Sequence, residues 1–121
     1  TQTARENILF RWKDDLAELA SCPNVYTKMS GLFMPVLGHR FHKEGRLASK
    51  QEVFDLAHPM ITHALACFGT YRVMFASNFP MDSVSTSLVN IIDAFSDVVA
   101  AYEPDALERV FHHNAKQFYR L

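Results

Sequence analysis

Two short runs, "VYTKMSG" at residues 25–31 and "YRVMFASN" at 71–78, set the main constraint on this chain. The first is rich in Val, Tyr and Thr and is punctuated by Gly31, the pattern of a β-strand. The second is nearly continuous apolar from Arg72 to Ala76, which fits a strand covered on both faces, as in parallel sheets. A helical pattern separates the two, so the unit reads β-loop-α-β and its strands should run parallel. Two parallel strands alone leave two unpaired edges, whereas apolar parallel sheets belong to larger assemblies with both faces covered. The chain should therefore be the terminal portion of a larger α/β fold, or complete its sheet through another chain or by oligomerisation. It opens on Thr1 instead of Met, which raises the same expectation of sequence upstream.

Helical spacing fills the remainder. Ile8, Leu9, Trp12, Leu16, Leu19 and Ala20 recur three and four apart, with Arg11, Lys13, Asp14, Asp15 and Glu18 between them, and Cys22-Pro23 must end that helix. Residues 32–48 carry Pro35, Gly38 and Gly45 without a steady period and read as a long loop, a length that often has a function in compact domains. Ser49-Lys50-Gln51-Glu52 fits a capping box for a second helix. Pro59 should kink or restart that helix, and Gly69 suits its C-terminal end. A Ser-rich stretch, "DSVSTS", precedes a third stripe formed by Leu88, Ile91, Ile92, Phe95, Val98 and Val99. Pro104 opens a further helix carrying Leu107, Val110 and Phe111 inward. Asn114 is expected to cap a last short helix, with His112-His113 at a helix terminus.

Composition excludes several partners. With 121 residues and 49% hydrophobic content the chain can bury one core, so one domain, here a partial one, is expected. Twelve basic and thirteen acidic side chains give a formal charge of -1, which favours neither nucleic acid nor an anionic membrane surface. The partner is then a small molecule or another protein chain. Apolar runs break well before the roughly 18 residues a membrane helix needs, and no basic-then-apolar leader is seen, so a cytoplasmic location is expected. Cys22 and Cys67, far apart in apolar context, read as buried free thiols.

Three ordered stretches, "NVYTKMSGL", "FGTYRVMFASNFPMD" and "RVFHHNAKQFYRL", together with "MPVLGHRFH", carry a family resemblance from about Leu9 to Leu121. They resemble the last third of the amidohydrolase-related (amidohydrolase 2) metal-dependent hydrolases of the TIM-barrel type, in the branch with sugar-lactone and pyrone-dicarboxylate hydrolases. The resemblance implies that residues 25–30 are barrel strand seven and 72–76 strand eight of a (β/α)8 barrel with four to five of its helices. A whole barrel needs roughly 250 residues, so the first six strands are expected elsewhere. It also implies a divalent metal such as zinc in the complete barrel, with none expected in the isolated chain, and a lactone or related cyclic ester attacked by a metal-activated water.

In TIM barrels the chemistry sits at the C-terminal ends of the strands. That places Ser30 and Gly31 on one rim with Ser77 and Asn78, and hangs the loop bearing His39 and His42 above it. In the wider family the Asn78 position is usually an aspartate acting as metal ligand and general base. An amide oxygen accepts hydrogen bonds but cannot take up that proton near neutral pH. Asn78 and His42 are therefore the candidate catalytic residues, with His42 the alternative proton carrier, and Ser30, His39 and Ser77 the candidate substrate-binding residues. Simpler readings stand beside these: a turn-forming Asn78 before Phe79-Pro80, solvated loop histidines, Asp82 as a cap of the following helix, and surface or core-edge positions for His58 and His63. No His-x-His pair is present, and no acidic or thiol partners sit at ligand spacing. Ser77 lies in no nucleophile-elbow pattern. The alternative function is a non-catalytic oligomerising or partner-binding module, using Phe10, Trp12 and the stripe from Leu88 to Val99 as an interface.

Overall fold

Ser49 accepts a hydrogen bond from the Glu52 N–H at 3.2 Å, and the Glu52 carboxylate accepts from the Ser49 N–H at 3.1 Å. This reciprocal pair starts the longest internal helix where the sequence places it. The same carboxylate takes a bidentate bond from Arg46 at 2.7 and 2.9 Å, which ties the end of the long loop to the helix start. That pairing, with the cap bond, holds the Glu52 carboxyl down to about 2. The computed structural model describes residues 2–34, 37 and 39–121; the breakers Pro35 and Gly38, and Thr1, lie outside the described residues.

The elements run α1 (Gln2–Ala20), β1 (Thr27–Met29), α2 (Lys50–Phe68), β2 (Val73–Phe75), a 3-10 turn (Met81–Val84), α3 (Leu88–Tyr102), α4 (Ala106–Glu108), a π-helical turn (Arg109–His113) and α5 (Asn114–Phe118). β1 and β2 pair in parallel with Thr27, Lys28 and Met29 opposite Val73, Met74 and Phe75. The ladder reaches one step further at each end: the Thr27 N–H donates to the Arg72 carbonyl at 2.9 Å, and the Ala76 N–H to the Met29 carbonyl at 3.2 Å. Among the described residues no third strand joins this sheet.

Helices α2 and α3 pack together and supply most of the core, with Val53, Ala57, Ile61, Ala64 and Leu65 meeting Ile91, Ala94, Phe95, Val98 and Val99. The sheet joins that core through Phe75, which meets Phe95 edge-on at 4.9 Å and stacks on Phe111 at 4.6 Å. Helix α2 continues unbroken past Pro59 and ends at Gly69, whose φ of 73° is in the region glycine tolerates best. Ser87 caps α3 by accepting from the Asn90 N–H.

Two long-range devices lock the strands to the helices. Arg72 donates to the carbonyls of Ala20, Cys22 and Val25, each at 2.9 Å, so one guanidinium serves the end of α1 and the turn into β1. Asn114 donates to the carbonyls of Thr70 at 2.7 Å and Val73 at 2.8 Å, pinning the C-terminal helical run beneath β2.

Several expectations are corrected. Asn114 is not a cap: its backbone is helical, the run continues through it, and its buried amide reaches across to β2. His112 and His113 lie inside the π turn and not at a terminus, because the helix accommodates an extra residue there. Cys22 is exposed in the turn after α1 and Cys67 is half-buried; both thiols are free. Helix α1 begins well before Ile8, and its apolar stripe is only partly covered: Ile8 is 70% and Phe10 67% exposed, while Trp12 and Leu16 pack against the core.

Replacing Asn114 with Ala leaves two buried carbonyls without their side-chain donor. We expect a loss of about 2–3 kcal/mol in urea unfolding, with an unchanged m-value.

Candidate functional site

The parallel register brings the ends of β1 and β2 side by side. Gly31 leaves β1 with a φ of 71°, and a Cβ built on it would come within 3.5 Å of the Asn78 Nδ2 and 3.6 Å of the Met34 Sδ. Beyond β2 the chain turns sharply. Asn78 has a φ of 54°, a left-handed conformation in which Asn is enriched among non-glycine residues, and the Phe79-Pro80 bond is cis. The Asp82 N–H donates to the Asn78 carbonyl at 3.1 Å, and the Phe79 N–H to the Ser77 hydroxyl at 3.2 Å. Ser77 thus holds the knuckle, while Ser30 sits half-buried at the end of β1.

Asp82 is the residue that sequence reasoning misplaced. It does not cap α3, a role Ser87 fills; it is fully buried in the 3-10 turn, with Oδ1 accepting from the Asn78 Nδ2 at 3.1 Å. Its Oδ2 has no hydrogen-bond partner among the described residues. Burial pushes its carboxyl above the usual value, against the opposing pull of Asn78, the Phe33 backbone and nearby His39. The available signal was the spacing of Asn78 and Asp82, four apart, but only the tight turn after the knuckle makes that spacing a contact.

The long loop is anchored on the same side. The Ser85 hydroxyl donates to the Phe33 carbonyl, the Thr86 hydroxyl to the Ala48 carbonyl at 2.9 Å, and the Ala48 N–H to the Ser85 carbonyl at 2.6 Å. Within it His39 is buried, not solvated, and its Nε2 lies 2.8 Å from the Leu32 carbonyl. A carbonyl only accepts, so Nε2 carries the proton. Burial lowers the His39 pKa, outweighing the Leu32 bond; Arg5 on α1 adds to the lowering and Asp82 opposes it. His42, by contrast, is exposed in the turn after Phe41, and its side chain makes no hydrogen bond, ion pair or ring contact with the other described residues.

Two separate groupings result. Ser30, Gly31, Leu32 and His39 share a largely apolar cavity of about 500 Å³ with α1 and α2, where Trp12 and Met60 are among its walls. Asn78 and Asp82 form the second, and neither lines that cavity. The nearby His63 is half-buried, hydrogen-bonded to the Lys13 carbonyl at 2.9 Å and 3.4 Å from the Cys67 sulfur. His58 is exposed beside Phe54. No group of three or more His, Cys, Asp or Glu side chains able to hold a metal occurs among the described residues, so this donor set does not by itself fit zinc. Among the same residues no helix is long and apolar enough to cross a membrane.

The amidohydrolase family profile matches residues 6–121, and the chain belongs to that family. It is 33% identical over 110 residues to the uncharacterized protein y4mH of Sinorhizobium fredii, covering 91% of this chain and 33% of that protein. A crystal structure of an amidohydrolase from Burkholderia multivorans with bound zinc superposes with a TM-score of 0.77 at 23% identity, over 93% of this chain and 38% of that one. A second crystal form of an amidohydrolase from the same organism, with bound HEPES, gives 0.79 at 22% identity, over 96% and 38%. The chain therefore spans about a third of the length of that relative and under two-fifths of each solved chain.

His39 gives the site a pH signature. The unfolded chain takes up its proton near 6.5, whereas the native imidazole resists until lower pH, so stability falls as pH drops through 6.5. His39→Gln keeps a donor for Leu32 and has no proton to take up; urea unfolding at stepped pH should show a flatter slope in that window. Asp82 acts with the opposite sign: its raised carboxyl holds its proton longer in the native state than the unfolded value of 3.8 allows, so its contribution to stability is lost as pH rises above 3.8.

Proposed function

We propose that this chain, residues 1–121, is the C-terminal part of a (β/α)8 hydrolase barrel, with β1 and β2 as its seventh and eighth strands, acting on a lactone or related cyclic ester. The observation that carries the reading is the parallel pair whose ends bring Gly31 against Asn78 on one rim. Barrel enzymes place their chemistry on that rim. Asn78 offers an amide oxygen to orient the substrate, Ser30 and Ser77 flank it, and His39 backs the loop above it. His42, exposed on that loop, is the candidate to carry the proton that Asn78 cannot. Family membership supports hydrolysis, and the neighbouring amidohydrolase structure with zinc supports a metal in the whole protein. Its ligands would have to come largely from outside this chain. By the same reading the isolated chain is inactive, and its open sheet edges and the bare face of α1 at Ile8 and Phe10 are covered by the remaining barrel or by a second copy.

The test is a screen of γ- and δ-lactones with the full-length protein that carries this chain. We expect His42→Ala to lower turnover about tenfold or more. Asn78→Asp should add an acidic limb to the pH-rate profile, because it introduces an ionisable group at the rim. Unchanged rates and profiles in both variants would falsify the site; hydrolysis of amides with no lactone turnover would overturn the substrate class.

A further inference from the structure

An Asn side chain at a binding rim has two faces of opposite polarity, and which one a ligand meets decides what it can bind. Here the choice is made from behind. Asp82 is fully buried, and its Oδ1 lies 3.1 Å from the Asn78 Nδ2. The amide nitrogen faces this oxygen and donates to it; against an ionised carboxyl, the reversed amide would set oxygen against oxygen. The Nδ2 side is further enclosed by Gly31, whose backbone passes close enough that an added Cβ would stand 3.5 Å away. The backbone removes the remaining freedom: the Asp82 N–H donates to the Asn78 carbonyl, and Asn78 is held at a φ of 54°. The Asn78 Oδ1 has no hydrogen-bond partner among the described residues, and the side chain is only half-buried.

We infer that Asp82 is a positioning residue that fixes the Asn78 amide with its oxygen outward, so that the rim at this point recognises a hydroxyl or N–H donor, or a cation, and rejects a bare carbonyl. The inference rests on the reading of Asn78 as a rim group. It accounts for a fully buried acid in the turn after β2, a placement that core packing alone does not favour. His39 is the titratable group that perturbs Asp82, and Asn78 and the Phe33 backbone are further polar groups acting on it.

The experiment uses the full-length protein labelled with ¹⁵N-asparagine, following exchange of the side-chain amide protons. In the wild type the Asn78 pair should exchange about tenfold or more slowly than that of exposed Asn24. Asp82→Ala should remove the protection, and the Asn78→Asp/Asp82→Asn exchange of the two residues, which rebuilds the bond with an oxygen still outward, should restore slow exchange on the new amide. On the hydroxyl-bearing lactone turned over fastest in the screen, Asp82→Ala should lower kcat/KM about tenfold or more, and the exchanged pair should recover it. If Asp82→Ala disturbs the turn, Asp82→Asn keeps the size and backbone bonds, and the Asn78 protection should weaken. Wild-type exchange as fast as that of Asn24, or protection that survives Asp82→Ala, overturns the positioning role. Lost protection with unchanged kcat/KM keeps the hydrogen bond but overturns the reading of Asn78 as a rim group.

Discussion

A parallel pair of three-residue strands has one satisfied seam and, among the described residues, no third strand on either flank, where the Asn114 side chain serves the Val73 carbonyl. Everything else in this fold is arranged around that seam. Helices α2 and α3 cover one face through Phe75 and Phe95, the C-terminal run is pinned under β2 by Asn114, and α1 is delivered to β1 by Arg72. The register also decides which residues meet at the top. A slip of one position would turn Met29 and Phe75 to opposite faces and separate Gly31 from Asn78.

What could be read from the sequence was what depends on neighbours along the chain. The capping box at Ser49, the Ser87 cap, the Gly69 stop and the parallel β-loop-α-β order are local or periodic signals, and they appear in the structure where the residues place them. What could not be read depends on contacts between distant segments. Asn114 has the composition of a cap, yet its amide is claimed by carbonyls of Thr70 and Val73, more than forty residues earlier. His39 sits in a loop without periodicity, so only the folded chain reveals that it is buried against the Leu32 carbonyl.

The site divides in the same way. Ser30, Ser77 and Asn78 follow the two strands that the apolar pattern marks out, so their position just after the strand ends was legible. The carboxylate behind Asn78 was not, because Asp82 just before a Ser-rich stretch imitates a helix cap. Family membership strengthens the hydrolase reading without naming the groups that do the work. The structure shows which atoms face which, and the Asn78 amide, turned toward Asp82, is the clearest case.

The guanidinium of Arg72 carries a consequence for the order of assembly. Its three acceptors, on Ala20, Cys22 and Val25, are made about fifty residues before it. As the chain leaves the ribosome, those carbonyls lack this side-chain donor until the eighth decade of residues has emerged. The junction between α1 and β1 is therefore a late-closing joint, set when the second strand arrives alongside the first.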